Sequence, residues 1–257
     1  MEQSSKKFGR RLGNILAEVV GGIIVLGILY FMHYDSINAI FFDKEIPEHY
    51  CDELEKLASE DKMGACRNLA SCLFFGNGVT KDDARAAELY RRAARQGDPF
   101  SQYMLGGFYL NGIGVKQNFK EAIRWIRKSA EQNNLFALEL LGHCYLIGIE
   151  GKPDYAEAVK WLDKAAAHNR HEAQNDLGCC YYDGLGVEQN YDEAIKLFRL
   201  ASGQDNPQAT SNLAECYLYG RGVAQDRDEA LRLYRKVASQ GVEDAIEALK
   251  KLEENSD

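Results

Sequence analysis

Proline is scarce in this chain, with 4 in 257 residues, and no Ser/Pro-rich or Gln-rich tract occurs. That leaves little room for long disordered segments or rigid linkers. An excess of positive charge is also missing: 31 Lys and Arg stand against 39 Asp and Glu, a net charge of -8. General nucleic-acid binding needs cations to displace condensed counterions, so it is excluded. No Lys/Arg cluster beyond residue 12 reverses that balance.

The groupings that carry chemistry are missing as well. His168 and His171 are three apart but fall in an expected inter-repeat turn, with no partner at metal-ligand spacing. The Cys179-Cys180 pair is vicinal, not Cys-x-x-Cys, and no histidine recurs to make a Cys-His or Ser-His pairing. No catalytic residue, metal or cofactor is therefore expected, and the chain reads as a non-enzyme. The competing enzyme reading is a hydrolase using Cys179, which demands an exposed thiol of low pKa.

The N-terminus differs from the rest. Lys6, Lys7, Arg10 and Arg11 precede an apolar segment from Leu12 to Tyr34, broken only by Asn14, Glu18 and His33. At ~1.5 Å rise per residue such a helix spans a bilayer core of ~30 Å. The charge asymmetry places residues 1–11 in the cytoplasm and the rest across the membrane, with 35–45 as a linker. Glu18, six residues in, is read as lying near the interface. A cleaved signal peptide is the alternative, but no good small-x-small site follows the segment.

The remainder is periodic. Leu69, Leu105, Leu141, Leu177, Leu213 and Leu249 keep a constant step of 36 residues. Gly76, Gly112, Gly148, Gly184 and Gly220 keep the same step, as do Ala86, Ala122, Ala158, Ala194 and Ala230. Without strand signals, that period means stacked helical hairpins. Each unit has a first helix, a Gly-x-Gly-Val turn, and a second helix opened by Asp82, Asn118, Asp154, Asn190 or Asp226. A Glu three residues on completes a capping-box pattern in four of the five units. Gly97, Asn133, Asn169, Asp205 and Gly241, residues that tolerate the left-handed conformation, close the second helices. The expected fold is all-α: an α/α solenoid over 46–252 with full units near 62–97, 98–133, 134–169, 170–205 and 206–241. Half units cap both ends, a charged tail covers 253–257, and one transmembrane helix precedes the whole.

The pattern Ala-x-x-x-Leu-Gly-x-x-Tyr-x-x-Gly-x-Gly-Val at Ala173 to Val187, with the Ala-Ala doublets Ala93-Ala94 and Ala165-Ala166, resembles the Sel-one-like repeats, relatives of tetratricopeptide repeats. Glu150-Gly151 departs from the pattern and puts the third turn in doubt. The resemblance implies an adaptor or scaffold whose first helices line a concave, partner-binding face. The stripe expected to be exposed there comprises Arg67, Phe75, Phe100, Tyr103, Asn111, Phe136, Glu139, His143, Asn175, Cys179, Asp183, Glu215 and Tyr219, mixing aromatic and polar groups as recognition surfaces do. Phe100 and Phe136 read equally well as covers of the seam between repeats.

Of the seven cysteines, Cys72, Cys144, Cys180 and Cys216 share an inward column and read as packed thiols. Cys51 and Cys66 are candidates for a bridge only if the domain is exported. The expected location is a bacterial inner membrane with the repeats in the periplasm, or the lumenal side of a eukaryotic membrane. The expected partner is a protein or peptide, with an immunity protein against a secreted toxin as the second reading.

Overall fold

The computed structural model describes residues 48–254. The expected anchor Leu12 to Tyr34, Glu18 within it, the linker 35–45 and the last three residues lie outside that range. Among the described residues no helix is long and apolar enough to cross a membrane.

Twelve helices and no strand occupy this range: α1 (Glu48–Ser59), α2 (Met63–Phe75), α3 (Asp83–Arg95), α4 (Pro99–Asn111), α5 (Phe119–Glu131), α6 (Leu135–Ile147), α7 (Tyr155–Ala167), α8 (His171–Asp183), α9 (Tyr191–Ser202), α10 (Pro207–Tyr219), α11 (Arg227–Ala238) and α12 (Glu243–Glu254). The architecture is an all-α helical-repeat solenoid. It divides into two compact units, one holding 48–144 with 148–152 and the other holding 145–147 with 153–254.

Each boundary has a local cause. At the start of α3, α5 and α11, the side chains of Asp82, Asn118 and Asp226 accept from the amides of Arg85, Glu121 and Glu229 at 2.9, 3.1 and 2.9 Å. The reciprocal half of the expected capping box is absent from these helices. The amides of Asn118 and Asp226 donate instead to the carbonyls of Tyr109 and Tyr217 at the end of the preceding helix, both at 2.9 Å. The freed Glu121, Glu193 and Glu229 carboxylates pair one turn on with Arg124, Lys196 and Arg232. The closing column adopts the left-handed conformation, with φ near 60° at Asp61, Asn133, Asn169 and Asp205.

The two turn glycines do different work. Gly112 ends α4 with φ 69°, its amide donating to Phe108. Gly114, with φ 62°, lies so close to the start of α3 that a Cβ would stand 2.0 Å from the Asp83 carbonyl oxygen. Gly186 and Gly222 approach Tyr155 and Tyr191 in the same way, so in these three turns the second glycine lets the turn rest on the second helix of the preceding repeat. In the third repeat Gly148 still ends α6 with φ 68°, whereas a Cβ on Gly151 would meet nothing within 4 Å. That is the departure expected at Glu150-Gly151.

Inside the hairpins, small residues set the helix spacing. A Cβ on Gly106 would stand 2.4 Å from Ile126 of α5, and one on Gly178 would stand 2.7 Å from the Phe198 ring of α9. Ala86, Ala122, Ala158, Ala194 and Ala230 are fully buried. Tyr90, Phe108 and Phe198 fill the space between them, and Tyr90 joins its hydroxyl to Ser71 at 2.8 Å.

Candidate functional site

The stripe expected to face a partner is mostly closed. In the first unit Tyr103, Glu139 and His143 are buried, and in the second Asn175 and Cys179 are. Their expected exposure is corrected, for a clear reason: first helices of successive repeats pack directly on one another along this stripe. Tyr103 meets Phe136 with ring centroids 5.9 Å apart. Asn212 donates to the Asn175 oxygen at 2.9 Å and approaches the Cys179 sulfur at 3.5 Å, and Asn175 donates to Asp176 at 3.2 Å. The amides of Asn175 and Asn212 thus find their partners within the closed seam, as burial requires.

The outer members of the stripe serve local structure. Arg67 reaches Asp98 at 3.2 Å, and the same carboxylate caps α4 by accepting from the Ser101 amide at 2.8 Å. Phe75 packs edge-on against Phe74 at 4.9 Å, and Asn111 donates back to the Gly107 carbonyl at 2.9 Å. Phe100 lies 6.2 Å from the Tyr90 ring. Asp183, at the end of α8, is half-buried.

Between α10 and α12 the stripe opens. A groove of about 760 Å³ is lined there by Asn212, Glu215 and Tyr219 of α10, Arg221 of the following turn, Tyr234 of α11, and Asp244, Glu247, Ala248, Lys251 and Leu252 of α12. Glu247 and Lys251 occupy the repeat positions that Ser211 and Glu215 hold on α10. The seam that closes at Tyr103 on Phe136 and at Asn175 on Asn212 is open to solvent here. Tyr219 is 58% exposed at its edge.

Arg221 organises the mouth. Its guanidinium lies 5.4 Å from the Tyr182 ring and 5.2 Å from the Tyr219 ring, donates to the Tyr182 hydroxyl, and faces Glu215 at 3.6 Å. Such stacking holds a cation and two rings in one arrangement. The Tyr234 hydroxyl is pushed above its ordinary value by burial, reinforced by Glu215. Glu215 and Tyr219 were legible as candidates. Arg221 was not, although a charged residue stands there where Asn77, Ile113 and Leu185 stand in other turns.

The cysteines lie in the core. All seven are free and buried. Cys66 approaches the Ala58 carbonyl at 3.9 Å rather than Cys51, and Cys51 lies beside Cys72. Burial, with Cys51 next to it, pushes the Cys72 thiol up to about 12, and burial pushes the Cys144 and Cys180 thiols up as well. Cys179 is fully buried, so its sulfur is out of reach of a substrate. Among the described residues no group of three His, Cys, Asp or Glu side chains is placed to hold a metal.

A pH dependence follows. A thiol raised in the folded state but ordinary at 9.0 in the unfolded chain contributes full stability below pH 9 and loses it as pH rises from 9 toward 12. Each such thiol sets a slope of at most about 1.4 kcal/mol per pH unit. Urea midpoints measured at pH 8, 9.5 and 10.5 should fall progressively above 9, and a flat profile would contradict the burial of these thiols.

Comparison with known proteins gives a consistent picture. The Sel1 repeat profile matches residues 64–98, 99–134, 135–169, 171–206 and 207–242. A protective antigen of uropathogenic Escherichia coli with an SLR fold aligns over 91% of this chain at 29% identity and a TM-score of 0.76. The match takes in 50% of the antigen, so this chain spans about half its length. A Sel1 repeat protein from Oxalobacter formigenes aligns over 75% of this chain and 79% of its own at 31% identity, with a TM-score of 0.70. No curated protein matches the sequence.

Proposed function

Because this chain belongs to the Sel1 repeat family, we propose that it is an adaptor that holds a partner protein in the groove between α10 and α12. The observation that supports this is the groove itself. It is the described place where the first-helix stripe opens, and two tyrosines and a pinned arginine frame it. Exposed tyrosine beside arginine is the composition that dominates binding energy at protein interfaces. Asn175 and Cys179, buried in the same unit, meet Asn212, which lines the groove.

Residues 12–34 tether the adaptor to a membrane, with the basic N-terminus cytoplasmic and the repeats on the periplasmic face. Reporter fusions after residue 45 test this: activity of a periplasm-dependent reporter supports the topology, and activity of a cytoplasm-dependent one contradicts it. Crosslinked capture from the native membrane, comparing wild type with Tyr219→Ala at equal helicity, tests the adaptor reading. A partner held by wild type should be lost from the variant, and unchanged capture would remove the groove from consideration. The identity of the captured protein separates an adaptor in an envelope complex from an immunity protein bound to a toxin.

A further inference from the structure

We infer that the α10–α12 groove takes an extended, lysine- or arginine-bearing segment of a partner protein, an inference that rests on the adaptor reading and specifies its ligand. Charge is the first ground. The groove carries three carboxylates, Glu215, Asp244 and Glu247, and two cations, Arg221 and Lys251. Arg221 faces Glu215 at 3.6 Å and Lys251 pairs with Glu247 one turn back. Asp244 is left without a cation among the described residues, so the lining has an uncompensated negative charge. Tyr219, 58% exposed, leaves ring surface open beside these carboxylates on the side that Arg221 does not hold. Leu218, Ala245, Ala248 and Leu252 line the remainder and accept the aliphatic stem of such a side chain.

The second ground is what the neighbouring face of α12 refuses. In every earlier repeat the position one residue after the Leu column is small: Ala70, Gly106, Gly142, Gly178 and Ala214. There the second helix comes so close that a Cβ on Gly106 or Gly178 would collide with it. In α12 this position is Lys250. A lysine there would obstruct a helix packed as closely as α5 packs on Gly106. The groove, on the stripe side, is open, with a volume of about 760 Å³.

The test uses the full chain in detergent micelles and two fluorescein-labelled dodecapeptides, one alternating lysine with alanine and one alternating glutamate with alanine. Fluorescence anisotropy should show binding of the lysine peptide and none of the glutamate peptide, with affinity falling as salt rises. Asp244→Lys combined with Glu247→Lys should weaken the lysine peptide at least tenfold. Reversing Asp163 and Glu188, exposed residues of the same unit outside the groove, should leave it unchanged. Equal binding of both peptides, no binding of either, or equal losses from the two double reversals would overturn the inference. If Tyr219-dependent capture persists alongside such a result, the adaptor reading stands and only the basic character of the ligand falls.

Discussion

Gly114→Ala should destabilise the first unit by several kilocalories per mole, while Gly97→Ala at the end of α3 should cost only about 1–2 kcal/mol. Both glycines have positive φ, 62° and 98°, so both substitutions incur the left-handed penalty of an L-residue, roughly 1–2 kcal/mol. They differ in what a methyl group would meet. At Gly97 nothing lies within 4 Å, whereas at Gly114 the Asp83 oxygen and carbon and the Ala84 nitrogen lie at 2.0, 2.4 and 2.8 Å. Those are backbone atoms at the start of α3 and cannot rotate away, so the turn must lift off the preceding repeat. Overpacking adds about 1–3 kcal/mol, and loss of the stacked contact adds to it. Urea denaturation followed by far-ultraviolet circular dichroism measures the difference. Equal destabilisation by the two substitutions would mean that the turn does not bear on the neighbouring repeat.

The second large effect is expected at Phe198 of α9. Its side chain is fully buried, lies 6.4 Å from the Tyr182 ring, and presses on Gly178 of the first helix in the same hairpin. Phe198→Ala should lower stability by about 3–5 kcal/mol through lost burial and the cavity left behind. Gly178→Ala alone should overpack the same contact, because a Cβ there would stand 2.7 Å from the ring. In a Phe198→Ala background that collision disappears, and Gly178→Ala should become neutral or stabilising through its better helix propensity. A double-mutant cycle reads this as a coupling of about 1–3 kcal/mol. Additive losses would show that ring and glycine are not packed as described.

These two sites also show which features were legible in the sequence. Gly114, Gly178 and Phe198 belong to columns that recur every 36 residues, the last a column of large apolar side chains (Tyr90, Ile126, Leu162, Phe198 and Tyr234), because the hairpins meet the same packing demand. Helix ends were equally readable, since Asn133 and Asp205 reveal a left-handed closure by their identity and position. The capping box was half readable: the Asn118 and Asp226 side chains cap as expected, but their amides go to backbone carbonyls of the preceding helix, a contact that depends on hairpin geometry. The stripe was the hardest part. Its residues are identifiable by their variation, yet their exposure depends on how closely successive first helices approach. Tyr103 against Phe136 and Asn175 against Asn212 are exact neighbours only in three dimensions. The groove opens where α12 carries Glu247 and Lys251 on that stripe, and Arg221, its organiser, sits in a turn position that is uncharged in the other repeats.

Taken with the pinned Arg221, this geometry makes recognition at Tyr219 the central claim, and site-specific photocrosslinking tests it most directly. A photoreactive phenylalanine analogue is placed at Tyr219 in one sample and at Leu200, 54% exposed on α9, in another. The protein is then irradiated in the cells that produce it. A single partner trapped from position 219, absent from position 200 and lost on Arg221→Ala, is the predicted result. Equal trapping from both positions, or trapping from 200 alone, would contradict recognition in the α10–α12 groove.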